Sequence, residues 1–531
     1  LAARLVALVI PPAAAPPARV WDPACGGGAL LLAAADALVA AGVDPAEVVA
    51  ERLWGTDVDP GAVAVAEAAL VWWAQRHGTD VRPGSHLAVG DALLGGDAGG
   101  PLAVAAGGGF EAVVGNPPFQ GQLVGGSIRP ASERAALRER WGPEVVGPYT
   151  DTASLFLVAG ASALAPGGRL LLIQPTSVLA ARDAAASRAA AEARAPLTGL
   201  WLDGEDVFGA EVQVCAVVLE RPGPDEGPDR PPVAVRRWRG PAVEPVSVPS
   251  AAALDAGPPA IAGAGAGARW SAHALSALGV PDPVVRWSGR LSSVATGRAG
   301  FRDEYYGLVG HVREAAEVGA DPDLGRSSRS DGRWAPLVTS GLIDPGRCAW
   351  GERAASFARH RYERPVVDRR AVSAVGGRAA AWLAATGVPK VVVATQTRVG
   401  EAAVDEGGGW VPSTPTVALL APPDRLWEVA AVVCSPVGTL AALAATAGSA
   451  RARDAIRHRV ETLADLPLPV DLEAWRAGAE SLAAGDRHRF LAAMASAYDL
   501  ADPTALHEWW AQRTPRTFGP VESDPDQQGA F

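Results

Sequence analysis

Residues 20–40 read VWDPACGGGALLLAAADALVA, and the order of residue types in this stretch decides the fold. A short apolar strand ends at Asp22, a glycine turn spans Gly26, Gly27 and Gly28, and an alanine-rich amphipathic segment follows. Strand, turn and helix make the first βα unit of a doubly wound sheet, where glycines let the backbone approach a ligand closely. The turn suits a nucleotide-like cofactor. With 60 glycines in the chain the triplet alone is weak, so the neighbouring strands must support it.

Residues 53–70, LWGTDVDPGAVAVAEAAL, place Asp57 at the end of a second strand, with Val58, Asp59 and Pro60 leading into another helix. An acid at that position can accept hydrogen bonds from ribose hydroxyls, and the apolar residue beside it can pack against an adenine ring. A third acid, Asp91, follows in LAVGDALL, residues 87–94. Any one of these acids would also serve as a helix cap. Three in succession at strand ends point to a cofactor site.

The fourth strand, in FEAVVGNPPF at 110–119, runs into Asn116, Pro117, Pro118 and Phe119. Proline lacks the N–H that a ladder needs, so the strand stops there. In a doubly wound sheet the first and fourth strands are neighbours at the switch point, which turns this loop toward the cofactor loop. An exocyclic amine is a poor nucleophile because its lone pair is delocalised. If the Asn116 side-chain oxygen and the Pro117 carbonyl each accept one amine hydrogen, they favour a pyramidal nitrogen and stabilise its growing positive charge. The prolines aim the carbonyl in advance, and the Phe119 ring can stack on a base.

DPACGGG, GTDVDP, GDAL and NPPF, followed by LAPGGRLLLIQPTSVL and DVFGAEVQVCAVVLE, cover residues 22–220 in one order. In these pieces the chain resembles the class I S-adenosylmethionine-dependent methyltransferases. More narrowly, it is similar to the amino (gamma-type) DNA adenine-N6 methyltransferases of restriction-modification and phage-defence systems. By that resemblance Asp22, Pro23, Ala24, Cys25, Gly26 and Gly28 hold the methionine part of S-adenosylmethionine, Asp57 the ribose, and Val58 the adenine ring. Asp91, with Ala92, takes the cofactor's adenine amino group, and Phe208 joins Phe119 in stacking on a flipped-out base. The same tetrad also serves families that methylate guanine N2 in RNA or a glutamine amide in protein. A non-catalytic DNA-binding subunit of a defence complex is the third reading. The family's aromatic-Thr-Pro element precedes the helix that LAARLVALVI resembles, and the only methionine is Met494, so the chain is expected to start inside a longer protein.

The 531 residues are 49% hydrophobic and 20% charged, enough for two or three domains with sizeable cores. The net charge of -11 excludes a global basic field, so any contact with double-stranded DNA must come from a local patch. Four scattered cysteines suggest neither disulfides nor a metal site, and a reducing cytoplasm fits. LAARLVALVIPPAAAPPARV lacks the flanks of a signal peptide, and no apolar run suits a membrane span.

We expect a catalytic α/β domain over 1–222, with a doubly wound, mostly parallel Rossmann-like sheet, and a Pro/Gly/Ala-rich connection over 223–285 around a short strand pair near VAVRRW. A mixed α+β target-recognition domain over 286–470 and a helical carboxy-terminal segment over 471–531 complete the chain. Within the second half, Arg347, Arg353, Arg359, Arg361, Arg364, Arg369 and Arg370 outnumber Glu352, Glu363 and Asp368, with Trp350, Phe357 and Tyr362 interleaved. Arg353, Arg359, Arg361 and Arg364 are the candidate DNA contacts; a solvated arginine-rich surface is the alternative. Lys390, the only lysine, lacks the acids of a nuclease motif, so restriction would need a separate subunit.

Overall fold

A computed structural model describes residues 1–12, 14–82, 86–95, 109–119, 129–203, 213–226, 235–246, 270–275, 279–281, 283–300, 302–321, 324, 332–446, 455–514 and 518. It divides into two compact units, Leu1–Pro258 with Ala264–Leu278 and Gly279–Phe531 with Pro259–Gly263.

The first unit is built on one sheet. Its strands are β1 (Val20–Asp22), β2 (Leu53–Asp57), β3 (Leu87–Val89), β4 (Phe110–Gly115), β5 (Leu164–Pro175), β6 (Leu197–Leu202), β7 (Val214–Glu220), β8 (Arg236–Arg239) and β9 (Glu244–Pro245). They lie in the order β3-β2-β1-β4-β5-β7-β6-β8-β9. The order reverses between β1 and β4, which is the switch point of a doubly wound fold. β1 to β5 pair in parallel, and β7 runs antiparallel between β5 and β6. Residues 236–245, which fall in the expected connection, supply the two outermost strands of this sheet.

Period-two alternation along buried strands divides the core between the faces. Val113, Leu170 and Leu172 join Trp21 and Phe110 on one face, beneath the helix Thr152–Ala163. Ala112, Val114, Leu171 and Ile173 join the other, with residues of α1 (Ala2–Val6), α2 (Ala29–Ala40) and α3 (Pro60–Arg76). Local chemistry starts α3: the Asp59 side chain accepts from Gly61 N–H at 2.8 Å, and Pro60 occupies the first turn. A Cβ on Gly28 would lie 3.2 Å from Ala66 Cβ, so that glycine lets α2 start against α3.

The second unit is α+β, as its sequence pattern implies. One four-stranded sheet is ordered Thr296–Ala299, Thr416–Leu420, Lys390–Ala394, Ala402–Asp405; another is ordered Val312–Glu314, Pro365–Asp368, Trp334–Val338, Val411–Pro412. Helices Leu426–Cys434, Pro436–Thr446, Leu472–Ala483, Arg487–Ala497 and Thr504–Arg513 follow. Lys390 and Asp405 face each other across adjacent strands as a fully buried ion pair. Gly409 and Trp410 N–H groups also donate to that carboxylate, which satisfies the buried charge. Among the described residues no single helix is long and apolar enough to cross a membrane.

Candidate functional site

Parallel pairing gathers the ends of β1, β2, β3 and β4 on one edge, and with them Asp22, Asp57, Asp91 and Asn116. Gly26 adopts φ +50, and a Cβ there would meet nothing within 4 Å. The left-handed turn therefore presents bare backbone to open space, as close approach of a ligand requires. Its N–H donates to Asp57 Oδ2 at 2.9 Å, while Asp57 Oδ1 accepts from Asp59 N–H at 3.0 Å. Each oxygen keeps a further acceptor site for a ribose hydroxyl. Val58, next in the chain, is 67% exposed, an apolar surface available to a planar ring. These residues fit the nucleoside part of the expected cofactor.

Asp22 is buried, and its Oδ1 accepts from Ala24 N–H at 3.0 Å. Burial pushes its carboxyl up to about 7; the Ala24 N–H opposes this and the Asp57 charge adds to it. The Cys25 thiol beside it is pushed up to about 12, first by burial and then by the two carboxylates, so it is inert at neutral pH. Among the described residues no group of three or more His, Cys, Asp or Glu could hold a metal ion.

The Asn-Pro-Pro-Phe tetrad begins where the glycine loop begins. A Cβ on Gly115, the last residue of β4, would lie 3.2 Å from Asp22 Oδ1 and 3.4 Å from Pro23 Cδ. Asn116 and Pro118 are exposed, Pro117 is buried, and Phe119 packs part of its ring on the core of the α1–α3 face. Thus exposed Asn116 follows directly on the residue that packs against the start of the glycine loop at the switch point. Phe208 lies outside the described residues.

Two features escape sequence reasoning. Asp91 Oδ1 accepts from Leu93 N–H at 2.8 Å, but its Oδ2 accepts from Arg129 Nη1 at 2.7 Å. The residue expected to bind the cofactor's adenine amine is thus engaged by an arginine 38 positions later. Gln174, at the end of β5, is fully buried with both amide atoms unpartnered. A glutamine within an apolar run was the only available signal.

In the second unit the arginine cluster separates into two kinds. Arg353 forks onto Asp344, with Nη1–Oδ1 at 3.2 Å and Nη2–Oδ2 at 2.7 Å, and Arg347 pairs with Glu352. Arg359, Arg361 and Arg364 are exposed and make no side-chain hydrogen bond or ion pair among the described residues. Arg359 occupies the tip of the hairpin Ala355–Phe357/His360–Tyr362, where Ala358 and Arg359 have φ 48 and 68. Tyr305 Oη accepts from Ala358 N–H at 2.9 Å and anchors the turn.

The model of the N-6 DNA Methylase family matches residues 2–190. No curated protein matches the chain. Among solved structures, the chain is similar to the type IIG restriction endonuclease BpuSI, with 13% identity and TM-score 0.42 over 96% of this chain and 65% of that one. It is also similar to the M protein of the type I restriction enzyme EcoKI, with 18% identity and TM-score 0.32 over 46% and 50% of the two chains. A third is a type I methyltransferase subunit from Streptococcus thermophilus, with 16% identity and TM-score 0.33 over 45% and 46%. The chain thus spans two thirds or less of each of these structures. The matched segment carries the glycine loop, the three acids and the tetrad, which the parallel strands β1 to β4 bring to one edge of the sheet, and over residues 2–190 the chain is similar to the N-6 DNA methylase family.

Proposed function

We propose that the chain transfers a methyl group from S-adenosylmethionine to the N6 amine of an adenine extruded from double-stranded DNA, in a restriction-modification or phage-defence system. The observation that carries this reading is the close packing of Gly115 against Asp22 and Pro23, which sets exposed Asn116 beside the start of the glycine loop. Asp22 and the loop backbone hold the methionine part of the cofactor, Asp57 the ribose, and Val58 the adenine ring. When bound, the cofactor supplies an electrophilic methyl group. Asn116 Oδ1 and the Pro117 carbonyl accept the two amine hydrogens, which directs the nitrogen lone pair out of the ring plane. Phe119 stacks on the base, which reaches the opening only after leaving the duplex.

The second unit reads the DNA through Arg359 and Arg361, whose hairpin carries unneutralised charge in a chain of net charge -11. A separate subunit supplies any restriction activity. Cellular DNA as substrate places the protein in the cytoplasm.

The test supplies the full chain with tritium-methyl cofactor and, separately, DNA, RNA and protein. N6-methyladenine in digested DNA is the expected product. Label in RNA guanine or protein glutamine, or bound cofactor without any transfer, overturns the assignment.

A further inference from the structure

A cleft of the first unit is lined by Arg129, the residue paired with Asp91. The cleft between α4 (Ala131–Trp141) and the segment 146–155 has a volume of about 490 Å³. That is the size of small-molecule pockets, which run from about 300 to 1,000 Å³. Its lining includes three guanidinium groups, Arg129, Arg134 and Arg138, over an apolar floor of Leu137, Val146 and Leu155, and among the described residues no carboxylate lines it. Arg129 is paired with Asp91, so Arg134 and Arg138 carry the positive charge of this cleft that no carboxylate among the described residues neutralises.

The three arginines are unequally committed. Arg138 Nε donates to the Val146 carbonyl at 3.0 Å. Arg134 makes no side-chain hydrogen bond or ion pair among the described residues. Arg129 spends Nη1 on Asp91, with Glu133 3.6 Å away, while its Nε is buried without a partner. A buried N–H left unpaired is costly, and Arg129 gains by turning so that this group meets an anion in the cleft.

We propose that this cleft takes a backbone phosphodiester of the DNA strand carrying the target adenine, and that Arg129 ties its occupation to the cofactor's adenine end. The inference rests on the methylase reading. A phosphate has the acceptor oxygens for Arg134 and Arg129, and the apolar floor accommodates the attached sugar. As Arg129 turns toward the phosphate it releases Asp91 Oδ2, which then accepts the N–H of the cofactor's adenine amine. DNA and cofactor therefore bind with positive coupling, and the coupling is reciprocal.

Calorimetry of S-adenosylhomocysteine binding to the full chain, with and without mixed-sequence duplex DNA, tests this. Wild-type affinity is expected to rise by roughly fivefold or more when DNA is present. Arg134→Glu should leave affinity without DNA unchanged, abolish that rise, and flatten the log-log salt slope of DNA binding by about 0.9, one phosphate contact. Arg134→Gln is the milder variant should the reversal disturb folding. Arg129→Ala, which frees Asp91, should bind S-adenosylhomocysteine more tightly than wild type without DNA. Adenosine monophosphate replaces DNA in a further arm. If it reproduces the tightening and duplex DNA does not, the phosphate comes from a free nucleotide and the DNA assignment is overturned. If wild type binds cofactor and DNA while both Arg134 variants keep the full slope and coupling, the subsite is overturned and the methylase reading stands. A wild-type chain that binds no S-adenosylhomocysteine overturns both.

Discussion

The Asp57 carboxylate and the Gly26 N–H meet at 2.9 Å, joining the loops that follow β1 and β2. One side chain thus fixes the glycine turn and keeps further acceptor positions, which the proposed reading assigns to a ribose. Asp57→Ala removes both functions, and S-adenosylhomocysteine affinity is expected to fall by roughly 1–3 kcal/mol, about 5- to 150-fold. Asp57→Asn, which keeps one acceptor oxygen, should lose less. Equal calorimetric affinities for wild type and the alanine variant would remove Asp57 from the site.

Asn116 is exposed and makes no side-chain hydrogen bond among the described residues. Asn116→Ala should bind cofactor as wild type does and lose on the order of 100- to 1,000-fold in methyl transfer, the effect of removing one preorganised contact. Single-turnover transfer rates beside binding constants separate the two. A parallel loss of affinity and rate means that Asn116 acts on the cofactor.

Asp22 carries a pH signature. An acid with a raised native pKa keeps a proton that the unfolded chain releases, so stability falls as pH rises from the ordinary 3.8 to about 7 and is level above. Asp22→Asn should abolish this dependence. Unfolding midpoints of variant and wild type should converge in acid and separate above neutrality, with the variant higher. Cofactor affinity should move oppositely, rising toward alkaline pH as the carboxylate forms to meet the cationic methionine group. Parallel stability curves for the two proteins would show that another group titrates.

Gln174 hides an amide with no partner. Replacing it with leucine, of similar size and without polar atoms, should raise stability by about 1–3 kcal/mol in urea unfolding. A lower midpoint instead would show that a buried water holds the amide.

The hairpin offers an internal control. Arg359→Glu and Arg361→Glu are each expected to weaken DNA binding and reduce its salt slope by about 0.9. Arg353→Glu should lower the unfolding midpoint and spare the slope, because its guanidinium is committed to Asp344, which is 3% exposed. If all three change the slope alike, the hairpin is not the contact.

The pairing of the first and fourth strands and the stop of β4 at Asn116 were legible because their signals are local. A glycine turn after an apolar strand, an acid at a strand end and a proline stop each act within a few residues. β8 was not assigned to the sheet because Arg236–Arg239 is short, polar and follows a proline-rich stretch. The Arg129–Asp91 pair joins positions 38 apart, a distance at which spacing carries no information. The arginine cluster reads as one basic run in the sequence; only packing shows that Arg353 is tied to buried Asp344 while Arg359 stands at a turn tip. Gln174 looks like a small interruption of a strand, and its orphaned state exists only in the folded sheet, where it pairs opposite Cys215 of β7.

Lys390 is the chain's single lysine, and its side chain is 0% exposed against Asp405. Acylating dyes, amine-directed crosslinkers and enzymes that modify lysine side chains consequently find no lysine target on the folded protein. Lysine-specific labelling becomes a reporter of opening in the second unit: incorporation should follow the rate at which its central strands separate, and the catalytic sheet should stay silent throughout.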